Sequence, residues 1–233
     1  MKSPDDFHKY LVVVAGGKGT RMGSSIPKQF MTIAGRPILM HAVDSFVSAF
    51  PGIDVIIVLD PAIFDMWGHL CQQHSFTVSH HLVAGGEERF ISVRNGLSMV
   101  SRDSLIAIHD GVRPFVSGDT IRRCFDGAAR YGNAVPVISP SESVRQLAVD
   151  GNSHPVNRDT VKLVQTPQVF RSDILLKAYA TAIDKSFTDD ATVVESAGEK
   201  IRLVDGNREN IKITTPADMI IGEGIYKLLK GSN

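Results

Sequence analysis

Short aliphatic runs bounded by glycine, proline or aspartate alternate along this chain with stretches whose apolar positions return once per helical turn. That is the pattern of βαβ units around a mainly parallel sheet. The runs 10–15 (YLVVVA), 54–59 (DVIIVL), 77–83 (TVSHHLV), 104–109 (SLIAIH) and 133–138 (NAVPVI) read as strands. Between them, Ile38, Leu39, Ala42, Val43, Phe46 and Val47 form one apolar stripe, and Phe90, Val93, Leu97 and Val100 another. Each helix can cover one face of the sheet. Right-handed crossovers then gather the strand C-termini and the loops that follow along one edge, where a ligand is expected.

From Ser139 to about Lys162 the pattern fails. The segment SPSESVRQLAVDGNSHPVNRDTVK has short β-like pieces, an Asp-Gly turn signal and too little apolar face to pack alone. It reads as a projecting hairpin arm over 139–162. An isolated hairpin is marginal in water, so a second copy of the chain is its simplest support. Beyond it the pattern predicts a helix from about Ser172, another near Asp189 to Ala197, strands at KIRLVDG (200–206) and NIKIT (210–214), and a last helix capped by Thr215 with Pro216 in its first turn.

The 233 residues are 43% hydrophobic and 21% charged, enough for a sizeable core and too apolar for a disordered or fibrous chain. A single domain over 1–233, with the arm attached, is expected. The formal net charge of +0 supplies no field to concentrate DNA or RNA, although a local basic cleft can still hold a small phosphate. Cys71 and Cys124 lack CxxC spacing and read as reduced, intracellular thiols. Asp5 and Asp6 stand where a secretory signal would place its apolar core, and no run approaches the ~18 apolar residues of a membrane span. A cytoplasmic protein without membrane or nucleic-acid partners is expected. His69, Cys71, His74, His80 and His81 suggest zinc, but the first three do not share one helix face and the last two point to opposite faces of a strand.

The first strand runs into VVVAGGKGTRMGSSIPKQF (12–30), where Gly17, Gly19 and Gly23 let the backbone turn tightly and present N–H groups to phosphate oxygens. A dinucleotide loop needs G-x-G-x-x-G and an acidic residue about 20 positions on; here the third glycine comes one residue late and Asp60 lies about 40 positions on. A Walker loop needs Gly-Lys-Ser/Thr, which the chain lacks. What remains is a loop with its own cations, Arg21 and Lys28, the latter fixed by Pro27. Aimed at a triphosphate, they would oppose charge growing on phosphoryl oxygens. A plain βα turn with solvated charges is the alternative.

AGGKGTRMGSSIPKQF resembles the signature G-x-G-x-R-M…P-K-Q of nucleotidyltransferases that couple CTP to a polyol phosphate, more specifically the 2-C-methyl-D-erythritol 4-phosphate cytidylyltransferase family. The resemblance extends through GGEERFISV (85–93), IHDGVRPFV (108–116), TPQVF (166–170), FTDDATVVE (187–195) and LVDGNRENIKIT (203–214), in the family's order and spacing. It implies a Rossmann-like, three-layer α/β nucleotidyltransferase fold, a homodimer with a shared active site, Mg²⁺ as cofactor, and transfer of CMP from CTP to the acceptor in non-mevalonate isoprenoid synthesis. Ribitol 5-phosphate as acceptor, or a non-catalytic CTP-binding protein on this fold, are the alternatives.

The resemblance also assigns residues. Arg21 and Lys28 would be catalytic, and Ala15, Gly16, Gly17, Gly19, Gly85, Ser92 and Gly111 would bind the nucleotide, with Ser92 helping to read cytosine; a helix start with Ser92 facing solvent is the plainer alternative. Asp110, at a strand end where a carboxylate can meet Mg²⁺ and phosphate, would be the metal-associated acid; loop capping is its plainer use. Lys212, Thr188, Ser143 and a partner's Arg158 would hold the acceptor, although Lys212 can equally guard a sheet edge and Thr188 can cap a helix. Arg113 reads as an internal strut, with a phosphate contact as the alternative. The chain departs from the family at Gly111-Val112, often two alanines, and in the arm at Glu142, Ser143 and Asn157.

Overall fold

The computed structural model describes residues 4–16, 26–182 and 187–231. Its centre is a mixed, mainly parallel sheet. Strand β1 (His8–Val14) lies between β6 (Ser104–Asp110) and β4 (Asp54–Leu59), and β5 (His80–Ala84) follows at one side, all in parallel register. On the other side β11 (Gln168–Arg171) inserts antiparallel between β6 and β7 (Asn133–Ile138), with β10 (Leu163–Val164) and β12 (Leu203–Asp205) both on β7. Strands β2 (Thr32–Ile33) and β3 (Arg36–Pro37) form a small ladder of their own.

Alternation along β1 builds two cores. Leu11 and Val13 face α1 (Ile38–Ala49), α2 (Phe64–Gln73) and α4 (Gly118–Tyr131), where Phe46, Trp67 and Phe125 are fully buried. Tyr10 and Val12 face α3 (Arg89–Leu97), α5 (Ser172–Thr181) and α6 (Asp190–Ser196) through Phe90, Leu175 and Val194. Two helical layers on one sheet follow from that period of two, because each face of a central parallel strand must be covered. A third cluster seats α7 (Pro216–Gly231) on Ile33, Ile38, Val112, Phe115 and Ile213.

Helix boundaries have local causes. Ser117 accepts the Thr120 N–H at 3.1 Å to start α4. Gly132 ends it at φ +94°, its N–H on Ala128 O at 2.8 Å, a conformation that glycine adopts without strain. Thr215 caps α7 through the Asp218 N–H, and the Asp218 carboxylate accepts the Thr214 and Thr215 N–H groups in return.

The arm is a hairpin of β8 (Val144–Leu147) and β9 (Ser153–Val156), turned at Asp150-Gly151 with Gly151 at φ +84°. Strands 54–59 and 133–138 stand where their patterns put them. Others differ. The run 77–83 pairs only from His80, because Thr77 to Ser79 precede the register with β4, and KIRLVDG contributes only Leu203–Asp205. NIKIT is not a strand; no ladder reaches it, and Asn210 and Ile213 pin it by other bonds. The apolar stripe ending at Val100 leaves that residue beyond α3, which closes at Leu97.

Candidate active site

The segments that follow β1 and β5, and the end of β6 itself, each deliver a polar group to one cleft. At the end of β1, the Ala15 N–H bonds to Val58 O at 2.9 Å, and its carbonyl accepts Gln29 Nε2 at 2.7 Å. Gln29 belongs to the short turn Lys28–Phe30 after Pro27, and both Gln29 and Phe30 are buried, Phe30 stacked on Trp67. With its two neighbours anchored inward, Lys28 is left to line the cleft beside Ala15 and Gly16.

The opposite wall comes from 85–92. The Gly85 N–H bonds to Leu59 O at 2.7 Å, continuing the end of β4. Ser92, in the first turn of α3, accepts the Gly86 N–H at 3.0 Å. A side chain at Gly86 would collide with Ile91, so only glycine lets the loop fold back this closely. Ser92 is 4% exposed, which removes the solvent-facing alternative. Its hydroxyl shapes the loop whose backbone borders the cleft.

Asp110 ends β6 at the cleft floor. Its Oδ2 lies 3.1 Å from both Lys212 Nζ and Arg113 Nε, and its N–H donates to Thr166 Oγ1 at 3.1 Å. Burial disfavours its charge, but Lys212, then Arg89 and Arg113, outweigh that and hold the carboxyl well below the usual carboxylate range. Behind it, His109 is wholly buried, and burial pulls its pKa down to about 4. Neutral His109 donates from Nε2 to Arg113 O at 3.0 Å and accepts the Thr166 hydroxyl at Nδ1. Arg113 is the expected strut, since its other nitrogen donates to Asn210 O at 2.8 Å.

Lys212 owes its direction to its neighbours. Asn210 donates to Thr166 O at 2.8 Å, and the Ile213 N–H to Val112 O at 2.9 Å. Fixed on both sides, Lys212 turns to Asp110 rather than guarding a sheet edge.

Two hollows meet here. One is lined by Ala15, Gly16, Lys28, Gly86, Ser92 and the junction residues, and the other by Arg113, Thr166, Gln168, Thr188 and Asp189. Residues 10–227 match the family model described as 2-C-methyl-D-erythritol 4-phosphate cytidylyltransferase.

The chain belongs to this family.

Cytidylyltransferases of that description from Bacteroides thetaiotaomicron and Bacteroides fragilis are 47% and 48% identical to it over 215 and 214 residues. The alignments cover 92% of this chain in both cases, and 98% and 97% of the relatives. Among solved structures, the 4-diphosphocytidyl-2C-methyl-D-erythritol synthase of Anaerococcus prevotii superposes with a TM-score of 0.82 at 26% identity, covering 96% of this chain and 97% of the other. The cytidylyltransferase of Thermus thermophilus gives 0.75 at 29%, covering 94% and 99%. The Rossmann-like α/β fold expected from the sequence is therefore the family's own.

The cleft gathers Ala15, Gly16, Lys28, Ser92, Asp110, Thr188 and Lys212 of the expected set. Gly85 and Gly111 stand behind its wall; a Cβ at Gly111 would meet Ala15 Cβ at 2.8 Å and Leu39 at 3.0 Å, so its small size serves the seam between β6 and β1. Gly17, Gly19 and Arg21 lie outside the described residues. Ser143 and Arg158 are exposed on the arm and line neither hollow; Arg158 donates to Ser141 O at 2.9 Å. Thr188 does not cap α6, because Asp189 does so through the Thr192 N–H. His80, one of the zinc suspects, is partly buried and accepts the Trp67 indole N–H at 2.9 Å. Sequence reasoning missed Gln29 and Arg89, although both lie within quoted motifs, because their roles depend on partners distant in the chain.

Proposed function

We propose that the chain joins CTP to 2-C-methyl-D-erythritol 4-phosphate, giving 4-diphosphocytidyl-2-C-methyl-D-erythritol and pyrophosphate in non-mevalonate isoprenoid synthesis. One observation carries the reading for this chain's own residues. The hollow bordered by Lys28 and the Ser92 loop meets the hollow bordered by Thr188 at Asp110 and Lys212. A nucleotide in the first and a polyol phosphate in the second would bring their phosphates together there.

In the reaction, an oxygen of the acceptor phosphate attacks the α-phosphorus of CTP. The bond to the bridging oxygen breaks, and pyrophosphate leaves with that electron pair. No covalent enzyme intermediate is required, so catalysis rests on positioning and electrostatics. Gly16, with Gly17 and Gly19, cradles the triphosphate, while Arg21 and Lys28 oppose charge growing on the α-phosphoryl oxygens. The backbone at Gly85 and Gly86, held by Ser92, reads the cytosine edge; a wrong base would leave buried groups unpaired. Lys212 and Thr188 hold the acceptor.

Magnesium fits the donors at Asp110. An ionised carboxylate is a hard oxygen ligand, and among the described residues no three His, Cys, Asp or Glu side chains converge. That suits an ion bound by one or two carboxylates together with substrate phosphates. Bound there, it would neutralise triphosphate charge.

Ser143 and Arg158 would reach the acceptor from a second copy. The arm carries exposed apolar side chains at Leu147 and Val149, which a partner would cover. The two free cysteines accord with a reducing cytoplasm, and no helix among the described residues is long and apolar enough to cross a membrane. Pyrophosphate release measured with CTP and each of two acceptors tests the reading. Methylerythritol phosphate should be strongly preferred. Preference for ribitol 5-phosphate would overturn the substrate assignment, and CTP binding without turnover of either would leave a non-catalytic binder.

A further inference from the structure

The two hollows share three residues: Asp110, Lys212 and Arg89. The first two have roles in the reaction above. Arg89 occupies the same junction without one.

Its setting is built with care for direction. Arg89 donates to both oxygens of Asp190, at 3.0 and 2.6 Å, and Asp190 is wholly buried. Tyr179 donates a further hydrogen bond to Asp190 Oδ1 at 2.7 Å, while Phe90 stacks on Tyr179 with ring centroids 4.7 Å apart. The carboxylate is therefore fixed from two sides, and it fixes the guanidinium fork in turn. The other N–H groups of Arg89 make no hydrogen bond among the described residues, although the side chain stays 24% exposed at the cleft.

Two further observations separate this pair from a purely structural one. A buried ion pair adds little net stability over apolar packing, so stability alone gives slight reason for a pair at this depth. And Asp190 follows Thr188 and Asp189, which line the acceptor side; Gln168 holds that turn by donating to Asp189 Oδ2 at 2.8 Å and accepting the Ala191 N–H at 2.7 Å. Arg89 is thus tied to the acceptor wall while belonging to the nucleotide wall.

We propose that Arg89 contacts a phosphate oxygen at the junction of the two hollows, aimed there by Asp190 and Tyr179. This rests on the function proposed above. The phosphate is either that of CTP or that of the acceptor, and the two leave different traces.

The test compares wild type with Arg89→Lys, which keeps a charge for Asp190 but loses the fork, and with Arg89→Gln. Calorimetric titration with CTP and with cytidine is combined with the Michaelis constants for both substrates and with thermal unfolding. A contact to CTP predicts CTP affinity weakened about tenfold or more with cytidine affinity unchanged. A contact to the acceptor predicts an acceptor KM raised by about as much with CTP affinity unchanged. Either result supports the proposal. Variants whose loss of activity follows only the loss of folded protein, with affinities and KM values unaltered, would overturn it, as would wild-type behaviour. Should wild type itself fail to turn over, the functional reading falls, while the CTP-against-cytidine comparison still reads Arg89 directly.

Discussion

Lys212 Nζ lies 3.1 Å from Asp110 Oδ2, although 102 positions separate the two residues in the chain and Lys212 sits on no strand. The cation keeps the carboxylate ionised while remaining 43% exposed to the cleft. It can therefore serve a ligand without leaving its partner. Lys212→Ala should raise the acceptor KM about tenfold or more, because a charge-assisted contact to phosphate is lost. CTP affinity should change little, and the thermal midpoint should fall modestly, because buried Asp110 loses one of the cations that hold it ionised while Arg113 and Arg89 remain. Steady-state kinetics with each substrate varied in turn, alongside an unfolding scan, check this.

Lys28 is presented by a turn whose other side chains are buried, so truncating it leaves the packing of Phe30 on Trp67 in place. Lys28→Ala should lower kcat by about 100-fold or more at saturating CTP. Arg21→Ala should do the same. Rapid-quench measurement of one turnover separates this chemical step from product release, and wild-type rates would remove both residues from the mechanism.

The exposed arm yields a prediction about assembly. Deleting 139–162 should give a monomer with poor acceptor binding, read by sedimentation and by the acceptor KM. If Arg158 works across a dimer, Arg158→Ala and Lys28→Ala proteins should each be nearly inactive yet complement when their subunits exchange. Random exchange restores about a quarter of the sites. No recovery after verified exchange would confine each site to one chain.

Burial sets a pH dependence through His109. Its folded pKa of about 4 lies below the ordinary value of 6.5, so the unfolded chain binds more protons between those limits. Stability from this group is fully present above about pH 6.5 and falls as pH drops toward 4, by about 3 kcal/mol at most. Burial shifts His41 in the same direction. In His109→Asn the decline in unfolding midpoint from pH 6.5 to 5, above the carboxylate range, should flatten without vanishing.

Much of this was legible in the chain. Strands 54–59 and 133–138 are aliphatic, sharply bounded and buried, so pattern alone located them. Pattern failed where pairing does not decide the local conformation. NIKIT has the composition of a strand, yet Asn210 and Ile213 hold it by bonds to Thr166 and Val112 that no local reading contains. Lys28, Asp110 and Lys212 were visible through their motifs, whereas Arg89 gains meaning only from Asp190, more than a hundred residues away. Thr188 was a plausible cap until Asp189, one residue on, took that place.

The central claim is attack by the acceptor phosphate on the α-phosphorus of CTP. Turnover with acceptor whose phosphate carries ¹⁸O, followed by mass spectrometry of both products, tests it most directly. All label should appear in the cytidine diphosphate product and none in the pyrophosphate. Label in pyrophosphate, or release of CMP with unchanged acceptor, would contradict the account.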